Sequence, residues 1–192
     1  MNRRLLLTGR HPRSNLFTVH CSLFAVFTRR SSEVRLQVLF VCTGNTCRSP
    51  MAEAILRQAI TARGATGHVE VASAGTGAWD GAPASEGAYL VALEHDLDLS
   101  GHRARMLTRE LVGGADLILT MSRHHAARVA ELGGGDRVHL LGEFVGRAGA
   151  GAEVSDPFGG DLDDYRAAFA ELRELIDGVV ARVAAERLGD QR

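Results

Sequence analysis

Cys42 and Arg48 are separated by five residues in the stretch Val38-Leu39-Phe40-Val41-Cys42-Thr43-Gly44-Asn45-Thr46-Cys47-Arg48-Ser49-Pro50-Met51-Ala52-Glu53. A thiolate is a strong nucleophile, and a guanidinium presents a planar fork of donors that matches an oxyanion. A loop of that length can curl around one tetrahedral anion, with Arg48 closing the ring. The same positive field favours the thiolate of Cys42, and a thiolate facing a bound phosphate is aimed at phosphorus. Such a reaction also needs an acid for the leaving group and a base for the water that frees the enzyme. Asp156 is a candidate for both tasks. Pro157 follows it, which disfavours helix at residue 156 and holds it extended in a loop. From the residues alone the Asp156-Pro157 pair reads more readily as a turn start than as an acid.

The loop needs two elements to fix its ends. The apolar run from Val38 to Val41 reads as a buried strand over 36–42. From Ser49 the pattern turns helical, with Ala52, Ile55, Leu56 and Ala59 on one face of a helix over about 50–63. Ser49 suits its N-cap and Pro50 its first position, where a missing N–H costs nothing. A loop between strand end and helix start offers a nest of backbone N–H groups and a helix N-terminus to an anion. Downstream, a strand over 69–73 precedes a glycine-rich surface loop over 74–84. Ser85 caps a helix over 86–96, a short helix lies near 108–113, and a strand over 117–121 follows. Ser122 opens a helix to about 132, in which His124 and His125 read as solvated. A strand over 138–141 and a helical turn over 142–146 come next. Tyr165, Phe169, Leu172, Ile176, Val179 and Val183 then form one apolar stripe on a last helix, with Asp161, Asp163 and Asp164 at its N-terminus. Strands alternating with helices predict an α/β fold of three layers, a four-stranded parallel sheet with helices on both faces. Ligands in such folds sit at the carboxyl ends of strands, where the Cys42 loop lies.

The stretch from Val41 to Glu53 resembles the signature of the low-molecular-weight protein phosphatases. The resemblance continues through Ser73-Ala74-Gly75-Thr76, Ala115-Asp116-Leu117-Ile118-Leu119-Thr120-Met121 and Asp156-Pro157-Phe158-Gly159-Gly160, covering about 36–187. It implies Cys42 as nucleophile, Arg48 as the phosphoryl clamp and Asp156 as general acid, without metal or cofactor. It implies that Thr43, Gly44, Asn45, Thr46 and Cys47 cradle phosphate through the loop, and that the Ser49 hydroxyl bonds the Cys42 sulfur. It also implies that His102, in Ser100-Gly101-His102-Arg103-Ala104-Arg105, fixes Asn45. Cys47 fills a small space or forms a reversible disulfide with Cys42. Thr46 departs from the larger aliphatic residue usual in tyrosine-directed members and resembles the bacterial protein-arginine phosphatases, as does Phe158 after Asp156-Pro157. Trp79 complicates the choice: it can line a slot for a phosphotyrosine ring, act as a lid, or simply pack. The resemblance therefore leans to phosphoarginine in phosphorylated proteins, with phosphotyrosine the alternative.

Composition fits this reading. The chain has 192 residues, 45% hydrophobic and 23% charged, with a net charge of −1, so nothing in it points to nucleic acid or an anionic membrane. No apolar run reaches the 18 or so residues a membrane span needs. Three cysteines make no disulfide framework and no zinc site, and a working thiolate favours a reducing cytoplasm; the sequence does not give the oligomeric state, for which we favour a monomer. Residues 1–34 stand apart, with six arginines and no acid before Glu33. They read as a basic, disordered, non-catalytic extension holding Cys21, with a transit peptide or a start set too far upstream as alternatives. The phosphatase domain is expected over 35–188. Arsenate reductases of similar fold need further cysteines after Cys47, a non-catalytic module would lose Cys42 or Asp156, and a nucleotide-binding P-loop would need Gly-Lys-Ser/Thr.

Overall fold

A computed structural model describes residues 35–189; the N-terminal extension and Cys21 lie outside the described residues. Four strands, β1 (Leu36–Cys42), β2 (Val69–Gly75), β3 (Leu117–Thr120) and β4 (Val138–Leu140), form one sheet in the order β2-β1-β3-β4. Every pairing is parallel, and β1 sits at the centre with Val38 opposite Val71 on one side and Leu117 on the other. The helices are α1 (Arg48–Ala62), α2 (Glu86–Glu94), α3 (Arg109–Gly114), α4 (Arg123–Glu131), α5 (Leu141–Phe144) and α6 (Leu162–Gly189).

Alternation along β1 divides the core into two. Val38, Phe40 and Cys42 face one way, against Met51, Ile55 and Leu56 of α1 and Phe169, Leu172 and Ile176 of α6. Leu39 and Val41 face the other way, against Val112 of α3 and Val129 of α4. A central parallel strand buried on both faces needs a continuous apolar run, and Val38 to Val41 supplies it. Burying a side chain such as Phe40 contributes about 1.5–3 kcal/mol, so the strand end that carries Cys42 is anchored by fully buried neighbours.

Three local expectations are corrected. The first helix begins at Arg48, not after Ser49, and Ser49 makes no cap: its side chain is buried and points to the loop. β2 runs on to Gly75, because Cys42 pairs with Gly75 and extends the ladder to the loop itself. α2 stops at Glu94, where His95 leaves helical geometry and Asp96 turns left-handed at φ 59°. The last helix starts as expected: Asp161 Oδ1 accepts from the N–H groups of Asp163 and Asp164, and Asp164 Oδ2 accepts from that of Asp161.

Candidate active site

β1 ends at Cys42 and α1 starts at Arg48, so the connection between them closes on itself at the carboxyl edge of the sheet. Asn45 makes the turn possible. Its backbone is left-handed at φ 53°, a conformation Asn tolerates better than most residues. Its side chain and backbone are then fixed on every side. Nδ2 donates to Ser49 Oγ (2.9 Å) and Ser73 Oγ (2.8 Å), and Oδ1 accepts from the Arg105 N–H (2.9 Å). Ser73 Oγ donates onward to Glu53 Oε2 at 2.6 Å. His102 Nε2 lies 2.7 Å from the Asn45 carbonyl, which can only accept, so the proton sits on Nε2.

Cys42 Sγ accepts from the Asn45 N–H at 3.2 Å and lies 3.0 Å from Ser49 Oγ. Because Ser49 Oγ already accepts from Asn45, its own hydrogen is available to the sulfur. A hydroxyl donating there favours negative charge on the sulfur.

Arg48 is buried although charged. Nη1 donates to the Val154 carbonyl at 3.2 Å, and Nη2 to Asp156 Oδ2 at 2.5 Å. Its Nε is the buried side-chain nitrogen or oxygen without a hydrogen-bond partner among the described residues. A buried donor without an acceptor costs about 1–3 kcal/mol, so the site is built for an acceptor that arrives from outside. Asp156 is half exposed, and its Oδ1 accepts from the Phe158 N–H at 3.2 Å in a turn stopped by Pro157. The cavity over the loop measures ≈ 180 Å³ and is lined by Cys42, Thr43, Gly44, Thr46, Cys47, Arg48, Asp156 and Phe158.

The structure thus brings Cys42, Arg48 and Asp156 to one cavity, with Thr43, Gly44, Thr46, Cys47 and Phe158 around them and Asn45, Ser49 and His102 behind the loop. Trp79 is not among the lining residues; it is 84% exposed, which removes the reading of simple packing. Cys42 and Cys47 are both free thiols. Cys47 Sγ donates to Ser85 Oγ at 3.1 Å and lies 3.6 Å from the Tyr165 hydroxyl, whose pKa is pushed up chiefly by burial and further by Cys47. So Cys47 does more than fill space: it links the loop to the caps of α2 and the start of α6.

His125 corrects the expectation most clearly. It is fully buried, with Nε2 2.9 Å from Thr43 Oγ1 and Nδ1 2.7 Å from Ser122 Oγ, while His124 beside it is exposed. The available signal was its spacing from Val129, which puts both on the buried face of α4. Ser73 and Glu53 were also missed, and here no sequence spacing joins them to Asn45. Among the described residues no group of three or more His, Cys, Asp or Glu side chains could hold a metal ion.

Residues 37–188 match the family model for low molecular weight phosphotyrosine protein phosphatase. The chain belongs to this family. A protein-arginine-phosphatase of Geobacillus stearothermophilus is 39% identical over 153 residues, spanning 79% of this chain and 98% of that one. A low molecular weight protein-tyrosine phosphatase A of Mycobacterium tuberculosis is 40% identical over 147 residues, 75% and 89% of the two chains. The solved arginine phosphatase of Geobacillus stearothermophilus superposes with a TM-score of 0.72 at 39% identity, covering 80% of this chain and 96% of that one. A variant of an arginine phosphatase with a phosphorylated active-site serine superposes at 0.73 and 37% identity, covering 79% and 98%. The sheet order, the helices around it and the loop after β1 are those of this family's fold.

Proposed function

We propose that the protein is a metal-independent protein phosphatase that works through a cysteinyl-phosphate, with phosphoarginine in proteins as its preferred substrate. The observation that carries the chemistry is the buried, partnerless Nε of Arg48, a side chain that lines one cavity with Cys42 and Asp156. A phosphoryl dianion entering the cavity takes the donors of Arg48 and competes with Asp156 for Nη2. Cys42 Sγ attacks phosphorus while Asp156 protonates the departing group. Asp156 then takes a proton from water as it attacks phosphorus in the Cys42 adduct, and the S–P bond breaks with the Ser49 hydroxyl donating to the sulfur. Backbone amides of the loop and Arg48 hold the charge that develops on the equatorial oxygens.

The preference for phosphoarginine rests on Thr46. It lines the cavity, its hydroxyl lies 3.6 Å from Cys47 Sγ, and it offers a polar contact where a larger aliphatic side chain would shape a slot for a ring. Relatives named as protein-arginine phosphatases support this reading. Phosphotyrosine is the second reading, supported by relatives named for tyrosine. Free thiols at Cys42 and Cys47 suit a reducing cytoplasm, and we take the enzyme to act as a monomer. Among the described residues no helix is long and apolar enough to cross a membrane.

The test compares kcat/KM on a phosphoarginine peptide and a phosphotyrosine peptide, for wild type and Thr46→Ile. We expect wild type to prefer phosphoarginine and Thr46→Ile to erase or reverse that preference. A wild-type preference for phosphotyrosine that Thr46→Ile leaves untouched would overturn the substrate reading.

A further inference from the structure

Behind the residues that face phosphorus, one buried titratable group touches the cysteine loop and has no part in the chemistry above. His125 bridges Thr43 Oγ1 (2.9 Å) and Ser122 Oγ (2.7 Å), and Ser122 Oγ lies 2.9 Å from His124 Nδ1 as well. Thr43 is exposed and lines the mouth of the same cavity as Thr46 and Phe158. Its carbonyl accepts from the Gly77 N–H at 2.9 Å, so backbone and side chain are tethered to different elements. A threonine at a cavity mouth would ordinarily rotate; this one is held.

Burial keeps the His125 imidazole neutral, with its pKa pushed down to about 3, and the neighbouring His124 and the Arg48 cation push the same way. A neutral imidazole has one donor and one acceptor nitrogen. With Nε2 as the bare nitrogen, the Thr43 hydroxyl donates to it. Nδ1–H then donates to Ser122 Oγ, and the Ser122 hydroxyl donates to His124 Nδ1. Each hydrogen in the chain is used, and the Thr43 oxygen keeps a lone pair for the cavity. A charged imidazole would donate from both nitrogens and turn Thr43 into a donor.

We propose that His125 is a positioning residue acting through Thr43, holding the Thr43 oxygen at the cavity mouth as an acceptor for an N–H of the substrate's guanidino group. The inference rests on the phosphoarginine reading and gives the leaving group a second polar contact besides Thr46. Guanidino N–H groups are donors, whereas a phenolic leaving group has no N–H to place there.

The test measures kcat/KM on a phosphoarginine peptide and on para-nitrophenyl phosphate, and follows their ratio in wild type, Thr43→Val, Thr43→Ser, His125→Phe and the double variant Thr43→Val with His125→Phe. Losing one hydrogen bond should lower the ratio about 3- to 10-fold in Thr43→Val and in His125→Phe. Thr43→Ser should restore it, and the double variant should be no worse than either single one. A ratio unchanged in Thr43→Val, or penalties that multiply in the double variant, would overturn the proposal. Nitrogen NMR of the wild-type imidazole decides the same point without substitution: Nδ1 protonated and Nε2 bare is expected, and the opposite tautomer contradicts it. Failure of the underlying reading looks different. Wild type would then hydrolyse the aryl phosphate but not the phosphoarginine peptide, before any variant is made.

Discussion

Phosphoryl transfer restricts which residue types can do each task, and we assign attack to the Cys42 thiol, the hold on the phosphoryl oxygens to the Arg48 guanidinium and the proton transfers to the Asp156 carboxylate. The Cys42–Arg48 spacing between a strand and a helix singles out the first two in the sequence, whereas the Asp156-Pro157 pair alone reads as a turn start and only the resemblance selects Asp156. The supports were less legible. Asn45 meets Ser73, 28 residues away, and Thr43 meets His125, 82 residues away, and such pairings appear only once the chain is folded. Two predictions belong to this scale. Asp156→Ala should lower kcat/KM on poor leaving groups far more than on an activated aryl phosphate, because only the former need a proton; kcat/KM, which reports formation of the adduct and not its hydrolysis, checks this across a series of leaving groups, and an equal loss would remove Asp156 as the acid. His125 has a folded pKa of about 3, below its ordinary 6.5. The unfolded chain therefore takes up a proton that the native one refuses. Its contribution to stability is full above about pH 6.5 and is lost as pH falls toward 3, at up to about 1.4 kcal/mol per pH unit. Between pH 7 and pH 5, urea unfolding should show wild type losing about 2 kcal/mol more than His125→Phe; equal losses would mean that the imidazole is solvated.

Among elements, the buried run in β1 and the stripe on α6 were readable because each has an unmistakable period. The ends of elements were not, since tertiary pairing set them. β2 continues to Gly75 because Cys42 offers a ladder partner, and glycine is required there by close approach. A Cβ at Gly75 would lie 2.5 Å from the Thr43 carbonyl oxygen and 2.8 Å from the Asn45 nitrogen, both backbone atoms of the loop. Gly75→Ala should therefore shift the loop and lower kcat/KM by about a hundredfold, the effect of roughly 1 Å of misplacement. Gly113→Ala in α3 is the control, because nothing lies within 4 Å of that Cβ, and steady-state kinetics of the two variants checks the contrast. Similar losses in both would mean that close approach at Gly75 does not set the loop. Ser49 shows how a local rule is overridden: its hydroxyl could cap a helix, yet the bond to Cys42 takes it.

For the whole molecule, the parallel order β2-β1-β3-β4 explains why one edge carries the chemistry. Cys42 ends the central strand, where the chain leaves toward β2 on one side and β3 lies on the other, and the crevice opens at that switch point. Asp156 reaches the crevice from the segment between β4 and α6, and its ion pair with Arg48 spans 108 residues of chain. All the site residues we assign lie between Cys42 and Phe158. A chain that starts at Arg35 should then keep the Tm and kcat/KM of the full one, by calorimetry and steady-state kinetics. A clear loss of either would give residues 1–34 a role in the domain.

The account centres on a covalent bond between Cys42 and phosphorus. The most direct measurement is mass spectrometry of Asp156→Ala quenched in acid during turnover of an activated aryl phosphate, since loss of the base slows release of the intermediate. We predict phosphate on the peptide that carries Cys42, and none on that peptide in Cys42→Ala paired with Asp156→Ala. Steady turnover with no phosphate on Cys42 at any quench time would contradict the mechanism and leave direct attack by water in its place.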